Sequence, residues 1–217
     1  MTQPTRLSHW LLATLLLLPL TACSEPKPSK VGVSVSAINY TGQELGSFVF
    51  QNPDDPQKVA GGPGLLPYGA GGTMCCYSLP KKWRPGIKVK LVYYWWKGKE
   101  EDTKDRTTRI FEVPQYPDRE PGMLWALFYE DGSVEVVSSD YDPGHEKWPG
   151  KVKSWPVPSL EYRRKLWGEE MERTRDMIQN SRNLLELPGE DEESKKLSIY
   201  VIERATQQLK QLEANKP

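Results

Sequence analysis

The 217-residue sequence predicts an α+β protein, in which an antiparallel β-sandwich or barrel-like domain is followed by a C-terminal helical hairpin. Three observations support this fold class. Seven short segments have the apolar and β-forming pattern of strands, several with the strict alternation of a half-buried strand. The 19 prolines and 17 glycines provide many turns between them. After residue 158 the apolar period lengthens to that of an α-helix.

Residues 1–22 are typical of a lipoprotein signal peptide. Arg6 precedes the apolar run Trp10–Leu20, whose eleven residues are too few for a membrane-spanning helix of about 20 residues. The run ends in Leu-Thr-Ala-Cys, which resembles a bacterial lipobox. We therefore expect cleavage between Ala22 and Cys23 and acylation of Cys23. An ordinary cleaved signal with an incidental cysteine is the alternative.

The residues that follow the lipobox predict where the protein resides. Acyl chains such as palmitate on Cys23 contribute about 0.8 kcal/mol per buried methylene and would hold the protein on a bilayer. The next residue is Ser24 and not aspartate. By resemblance to lipoproteins of Gram-negative bacteria, this favours the inner leaflet of the outer membrane, facing the periplasm. Residues 23–30 are polar and rich in proline and are expected to form a short tether.

A β-rich domain is predicted over residues 31–140. The expected strands are Val31–Tyr40, Leu45–Gln51, Thr73–Leu79, Ile87–Trp96, Thr107–Val113, Met123–Tyr129 and Val134–Ser138. Glu130-Asp131-Gly132 is a clear tight-turn signal between the last two. The segment Asn52–Gly72 is dense in proline and glycine, so we expect a long loop there. Its glycines are not followed by the Gly-Lys-Ser/Thr ending of a phosphate-binding loop.

A connector at residues 141–158 leads to a helical hairpin at residues 159–217. Ser159 is a plausible N-cap, and Pro188-Gly189 separates the two helices. The predicted apolar stripes are Leu160, Trp167, Met171, Ile178 and Leu185 in the first helix, and Leu197, Val201, Ala205, Leu209 and Leu212 in the second. We expect the hairpin to pack on the β domain or on itself, while binding of a partner to its exposed face is the alternative.

Charge and histidine content restrict the function. The 29 basic and 29 acidic residues balance, so there is no electrostatic case for binding nucleic acid. His145 is the one histidine after the signal peptide, and it lies in the proline-rich connector without a Gly-x-Ser-x-Gly motif anywhere in the chain. A zinc site built from several histidines is excluded by this count. We expect no enzymatic activity, no cofactor and no metal, with a carboxylate-based hydrolase as the alternative.

Two adjacent cysteines, Cys75 and Cys76, lie in the third expected strand. In an oxidising compartment two remaining thiols can pair. However, neighbouring Cα atoms are about 3.8 Å apart, and side chains of neighbouring strand residues point to opposite faces. The sequence therefore leaves two interpretations open, a vicinal disulfide and two packed thiols.

The segment Ile87–Trp96 has the strongest strand pattern in the chain. One face is apolar, while the other begins with lysines and turns aromatic at Tyr94 and Trp96. Both faces cannot be exposed to solvent, so either the helical hairpin or a partner covers the second one. Because aromatic residues serve as anchors in protein interfaces, Tyr94 and Trp96 are candidate partner contacts.

Several motifs resemble a bacterial lipoprotein family that carries the domain of unknown function 3304. The motifs are Val33–Gly42, Ser47-Phe48, Gly71–Pro80, Trp83-Arg84-Pro85-Gly86 and Val89–Trp96. The adjacent cysteines followed by Leu-Pro, and then Trp-x-Pro-Gly, are the most distinctive. The resemblance covers residues 31–137 and leaves out the C-terminal helices.

The resemblance implies a function, because members of that family are commonly encoded beside type VI secretion components and lipase effectors. The implied role is an immunity protein, a periplasm-facing lipoprotein that binds a cognate phospholipase effector and inhibits it. The family provides no established catalytic residues. The alternative expectation is a structural or assembly lipoprotein of the cell envelope that binds another envelope protein.

Overall fold

The computed structural model describes residues 29–118 and 120–217. The predicted signal peptide, Cys23 and most of the tether lie outside the described residues. The strands are β1 (Lys30–Asn39), β2 (Glu44–Asn52), β3 (Asp55–Leu65), β4 (Met74–Pro80), β5 (Lys88–Trp96), β6 (Thr107–Glu112), β7 (Met123–Phe128) and β8 (Val134–Ser139). A 3₁₀ turn spans Glu100–Lys104, and the helices are α1 (Leu160–Leu185) and α2 (Glu192–Ala214).

The strands form two four-stranded sheets. Sheet 1 has the order β4-β1-β7-β8 and sheet 2 the order β3-β2-β5-β6. All neighbours pair antiparallel except β1 and β7, which are parallel. The chain crosses from sheet 2 to sheet 1 between β6 and β7, and this crossover permits the parallel pair. The predicted α+β class is confirmed, and of its two forms the domain is a sandwich and not a closed barrel.

The main core lies between the two sheets. Alternate residues of each strand point inward, as the period of a strand requires. Aromatic rings occupy one end of this core, where Tyr93 and Trp95 of β5 meet Phe128 of β7 with centroids 5.0 and 5.7 Å apart. The fully buried inner-face residues include Val35, Leu45, Phe48, Phe50, Val89, Leu91 and Leu124.

Strand β3 corrects the expectation of a long loop at residues 52–72. Its glycines allow it to lie very close to β2, because a Cβ at Gly61 would overlap the carbonyl oxygen of Phe48 and one at Gly64 that of Leu45. Its prolines are tolerated because β3 is an edge strand, whose outer N–H groups need no partner. A composition typical of loops is therefore used here for close backbone pairing.

The connector forms a second core on the outer face of sheet 1. Trp148 is 1% exposed, and its indole meets that of Trp125 edge to face with centroids 5.4 Å apart. The Trp148 indole N–H donates to the carbonyl of Val152 at 2.9 Å. This second core comprises Ile38, Tyr40, Trp125, Leu127, Tyr129, Val137 and Trp148. The connector is thus a packed layer of the β domain.

The helical hairpin packs on itself along a narrow seam. Ser159 caps α1 by accepting from the amide of Tyr162, as predicted, and Asp191 caps α2. Small residues such as Thr174, Ser198 and Ala205 occupy the seam. Two members of the predicted stripes are wrong, because Leu160 and Leu197 are exposed. Among the described residues no strand packs extensively on either helix, and neither helix combines the length and apolarity needed to cross a membrane.

Candidate functional site

A cleft of about 750 Å³ lies where the sandwich meets the start of α1. We call it the junction cleft. Its lining residues are Thr41, Gly42, Gln43, Tyr68, Trp95, Tyr129, Glu130, Gly132, Ser159, Glu161, Tyr162 and Lys165. They come from the β1–β2 turn, the loop after β3, the end of β5, the β7–β8 turn and the first turns of α1. All the strand ends involved are at the same end of the sandwich.

A buried asparagine holds two of these loops together. The side-chain amide of Asn39 donates to the carbonyls of Gln43 at 2.7 Å and Leu66 at 3.1 Å. Its carbonyl oxygen accepts from the amide and the hydroxyl of Thr41, at 3.0 and 2.8 Å. Asn39 is completely buried, and each of these bonds satisfies a group that would otherwise be costly to bury. The β1–β2 turn and the loop after β3 are therefore fixed relative to each other.

Tyr68 is the central side chain of the cleft. Its backbone is left-handed with φ 54°, which is unfavourable for a residue other than glycine. The amide of Tyr68 donates to the carbonyl of Thr41 at 3.0 Å, which helps to hold that conformation. Its ring lies against the ring of Tyr162 on α1 with centroids 5.2 Å apart. Tyr68 thus joins the β domain to the start of the hairpin.

The wall beside Tyr68 is formed by the β7–β8 turn. The hydroxyl of Tyr68 donates to the Glu130 carboxylate at 2.5 Å. Partial burial, followed by this hydrogen bond, raises the pKa of the Tyr68 hydroxyl. The Tyr129 hydroxyl donates to the Glu135 carboxylate at 2.6 Å, and its ring stacks on that of Tyr40 with centroids 5.4 Å apart. These contacts fix the aromatic floor of the cleft.

Two carboxylates at the cleft, Glu130 and Glu161, have no basic partner in the described part of the chain, and Glu130 accepts the hydrogen bond from Tyr68. Lys165 pairs with Glu169 at 3.8 Å, on the next turn of α1 and outside the cleft. Lys151, beside the cleft, pairs with Asp131 at 2.9 Å. Among the described residues no ion pair includes Glu130 or Glu161, and both are exposed. The cleft therefore presents aromatic rings next to negative charge.

This combination fits a cationic or amphipathic group. The face of an aromatic ring carries partial negative charge and attracts a cation within about 6 Å, and a neighbouring carboxylate adds to the attraction. Arginine and lysine side chains of a partner protein have this chemistry, together with an apolar stem that can lie along a ring. In the described part of the chain, no group of three or more histidine, cysteine or acidic residues is placed to hold a metal ion.

The predicted site residues on β4 lie away from the junction cleft. Cys75 and Cys76 are joined by a disulfide, with a cis peptide bond between them. Both are exposed on the edge strand of sheet 1, and Cys76 lies against Gly32 of β1.

Tyr94 and Trp96 lie on the outer face of sheet 2 and are partly exposed. The ring of Tyr94 occupies the space above Gly46 of the neighbouring strand, where a Cβ would overlap it. Trp96 is opposite Glu44 in the strand register. A described contact of the hairpin with the β domain is that of Tyr162 with Tyr68, at the start of α1. Contact with a partner stays a prediction for both residues.

His145 is exposed in the connector, as expected of a loop residue. Its ring stacks on Tyr141 with centroids 4.2 Å apart, and its Nδ1 accepts from the amide of Lys147 at 3.1 Å. These contacts make it part of the surface that covers the second core.

The residues of the junction cleft were not predicted as site residues. Tyr68 lies in a segment that was expected to be a loop, and Tyr162 lies more than 90 positions further along the chain. The turn at Glu130 was predicted, but its proximity to Tyr68 depends on the pairing of β7 with β1. The sequence contains no local signal for this arrangement.

The fold and the cleft define a class: two-sheet β-sandwich proteins in which a C-terminal helical hairpin forms one wall of a cleft at the end of the sandwich. Residues 38–136 match a family described as a protein of unknown function (DUF3304), so this part of the chain is similar to that family. The comparison with curated proteins finds no match. Among solved structures, the NMR structure of a protein from Eubacterium rectale is 13% identical with a TM-score of 0.30, covering 54% of this chain and 93% of that one.

Proposed function

We propose that the protein is a non-enzymatic, lipid-anchored binding protein of the outer membrane, facing the periplasm, and that it neutralises a type VI secreted phospholipase effector. Neutralisation would occur by stoichiometric binding that blocks access to the lipase active site. Two sequence features support this proposal. They are the lipobox that ends at Cys23 and the resemblance of residues 31–137 to lipoproteins encoded beside lipase effectors.

The observation that carries the proposal is the junction cleft. Strongly bound interfaces have a few aromatic and arginine anchors that enter well-formed pockets. The junction cleft offers such a pocket, with Tyr68, Tyr162 and Trp95 as aromatic walls and Glu130 and Glu161 as negative charge. A basic side chain of the effector that enters here would be surrounded by rings and carboxylates.

The surroundings of the cleft favour tight binding. The second core and the buried Asn39 hold the cleft loops in place before a partner arrives, so little conformational entropy is lost on binding. The negative charge would also accelerate encounter with a basic surface. An inhibitor needs both properties, since it must capture the toxin before the toxin reaches its lipid substrate.

Inhibition of the lipase tests the proposal. The protein is purified with the phospholipase encoded beside its gene, and lipid hydrolysis is measured against increasing amounts of the protein. We expect inhibition that is complete at one equivalent. The variant Glu130→Gln with Glu161→Gln removes the negative charge of the cleft and should weaken inhibition by at least tenfold. A matched control, Glu203→Gln with Glu213→Gln on exposed positions of α2, should inhibit like the original protein.

A specific observation favours a second candidate, a structural or assembly lipoprotein of the envelope that binds another envelope protein. Four large apolar side chains around the turn between the helices are 46 to 63% exposed: Leu184 in the last turn of α1, Leu187 after it, and Leu197 and Tyr200 in α2. This candidate would be favoured if the cleft variant binds the envelope partner normally and the variant Leu197→Ser does not bind it. Metabolic labelling with palmitate, lost on Cys23→Ser, tests the lipid anchor in both cases.

A further inference from the structure

The described chain begins at the end of the sandwich opposite the junction cleft. We call this the basal end. β1 starts there at Lys30 and reaches the cleft end ten residues later, about 30 Å away. The carbonyl of Ser29 accepts from the amide of Lys81 at 2.8 Å, so the chain enters the domain beside the β4–β5 turn. Ser29 and this turn therefore lie side by side at the basal end.

The β4–β5 turn, residues 81–87, is basic. Lys81, Lys82 and Arg84 are all exposed, and the turn contains no acidic residue. Trp83 between them is half-buried, and its indole N–H donates to the carbonyl of Val113 at 3.0 Å. The amide of Gly86 donates to the Glu112 carboxylate at 2.6 Å. These bonds hold in place the turn that carries the three exposed cations.

Two acidic residues of the basal end have described partners, and one of them, Glu112, contacts the β4–β5 turn itself. Asp55 pairs with Lys58 at 2.5 Å, and Glu112 accepts from Gly86 and lies opposite Lys88 in the strand register. The remaining acidic residues are Asp54 in the β2–β3 turn, Asp118 and Glu120 between β6 and β7, and Asp140 and Asp142 after β8. The concentration of positive charge is thus specific to the β4–β5 turn.

From these observations we propose that the β4–β5 turn binds the anionic headgroups of the phospholipid bilayer that carries the protein. The inference rests on the proposed lipid anchor. Ser29 is the sixth residue after Cys23, and six chain steps reach at most about 20 Å. An acylated Cys23 therefore brings the basal end within reach of the headgroups. Lysine and arginine attract an anionic surface, and tryptophan favours the interface between lipid and water.

This contact gives the protein an orientation. With the β4–β5 turn on the bilayer, the junction cleft at the other end of β1 faces away from the membrane. A soluble effector could then enter the cleft before it reaches the lipid. The turn also gives the protein a second attachment to the bilayer, an electrostatic one, in addition to the acyl chains. Such a combination is common for anchored proteins with a basic patch.

Hydrogen exchange of the mature protein, acylated at Cys23 and placed in vesicles, tests this inference. Vesicles of phosphatidylcholine alone are compared with vesicles containing 30% phosphatidylglycerol, at low salt. Amides of residues 81–87 should exchange several-fold more slowly in the anionic vesicles, while those of residues 41–43 and 130–133 at the cleft should be unchanged. In 0.5 M salt the protection should be lost because the attraction is screened.

Charge variants test whether the protection depends on the basic turn or on the overall charge of the protein. Each basic residue near an anionic surface contributes about fivefold, so Lys81→Gln with Lys82→Gln and Arg84→Gln should reduce occupancy of the bound turn by on the order of 100-fold. The matched control carries the same charge change on exposed hairpin residues, with Arg163→Gln, Arg175→Gln and Lys196→Gln. Its protection should equal that of the original protein.

Three results would overturn the inference: equal exchange in both types of vesicle, equal protection in the triple turn variant, or protection of the cleft loops in place of residues 81–87. Absence of palmitate labelling in the original protein is a different result, since it would contradict the lipid anchor that both proposals assume. In that case the same exchange comparison, made with unanchored protein added to vesicles, decides whether the turn binds anionic lipid by itself.

Discussion

Replacing Trp148 by alanine should detach the connector from the β domain. Trp148 is 1% exposed, and it packs in the second core against Trp125. Aromatic side chains bury on the order of 200 Å², which at about 25 cal/mol per Å² is about 5 kcal/mol. Measured losses for tryptophan to alanine in cores are about 3–5 kcal/mol, and the lost hydrogen bond to Val152 adds about 1 kcal/mol. We expect a loss of about 4 kcal/mol.

The assay is urea unfolding followed by far-ultraviolet circular dichroism, together with hydrogen exchange of residues 139–158. Trp155→Ala is the matched control, because Trp155 contacts Trp125 with centroids 6.5 Å apart but is 44% exposed. Only about half of the Trp155 side chain is buried, so its replacement by alanine should lower the free energy of unfolding by about 2 kcal/mol. Trp148→Ala should also increase exchange throughout the connector, whereas the control should increase it near residue 155 alone.

A loss below about 1 kcal/mol for Trp148→Ala, or a loss no greater than that of Trp155→Ala, would refute the reasoning. It would mean that the connector is a tether and that the outer face of sheet 1 is stable without it. The result also concerns the junction cleft, because the connector ends at Ser159, where α1 begins. A detached connector would release the wall of the cleft that carries Tyr162.

Three further predictions concern the β domain and the hairpin. Burial, followed by the charge of Glu135, raises the pKa of Tyr40 to about 12, so its native state holds the proton more tightly than the unfolded chain. The contribution of Tyr40 to stability should therefore fall by about 1.4 kcal/mol per pH unit between pH 10 and 12, and this contribution should be missing in Tyr40→Phe when unfolding is measured against pH. Gly61→Ala should cost about 1–3 kcal/mol in thermal unfolding because its Cβ meets the backbone of β2, while Gly72→Ala, where the space is open, should be neutral. Asp191→Ala should lower the stability of the hairpin by about 1 kcal/mol, measured by hydrogen exchange of the α2 amides. Asp191→Asn should retain the cap, so equal losses in the two variants would contradict the capping role.

The three predictions depend on different layers of the molecule. Tyr40 tests the contact between sheet 1 and the connector, because its hydroxyl donates to the carbonyl of Ser154 at 3.0 Å. Gly61 tests the pairing of β3 with β2, and Asp191 tests the hairpin by itself. Since the hairpin and the sandwich share few contacts, we expect losses in one unit to leave the other unchanged.

Most of the secondary structure was predictable because it depends on local periodicity. Alternation of apolar residues identified β1, and the helical period with Ser159 as cap identified α1. Strand β3 was missed because glycine and proline are usually loop residues. Here the glycines serve close approach to β2, a property of the partner strand that no local pattern encodes.

The sequence by itself determined the class of the fold, the helical hairpin and the residues that would form a lipoprotein signal. These depend on short-range patterns of apolarity, capping and chain punctuation. Only the tertiary structure decided that Trp148 is a core residue, that Tyr68 meets Tyr162, and that the β4–β5 turn lies beside Ser29. Each of these joins segments that are distant in sequence, and their contact depends on the strand order of the two sheets. For that reason, the junction cleft and the basal end became visible as surfaces only once the strands were paired.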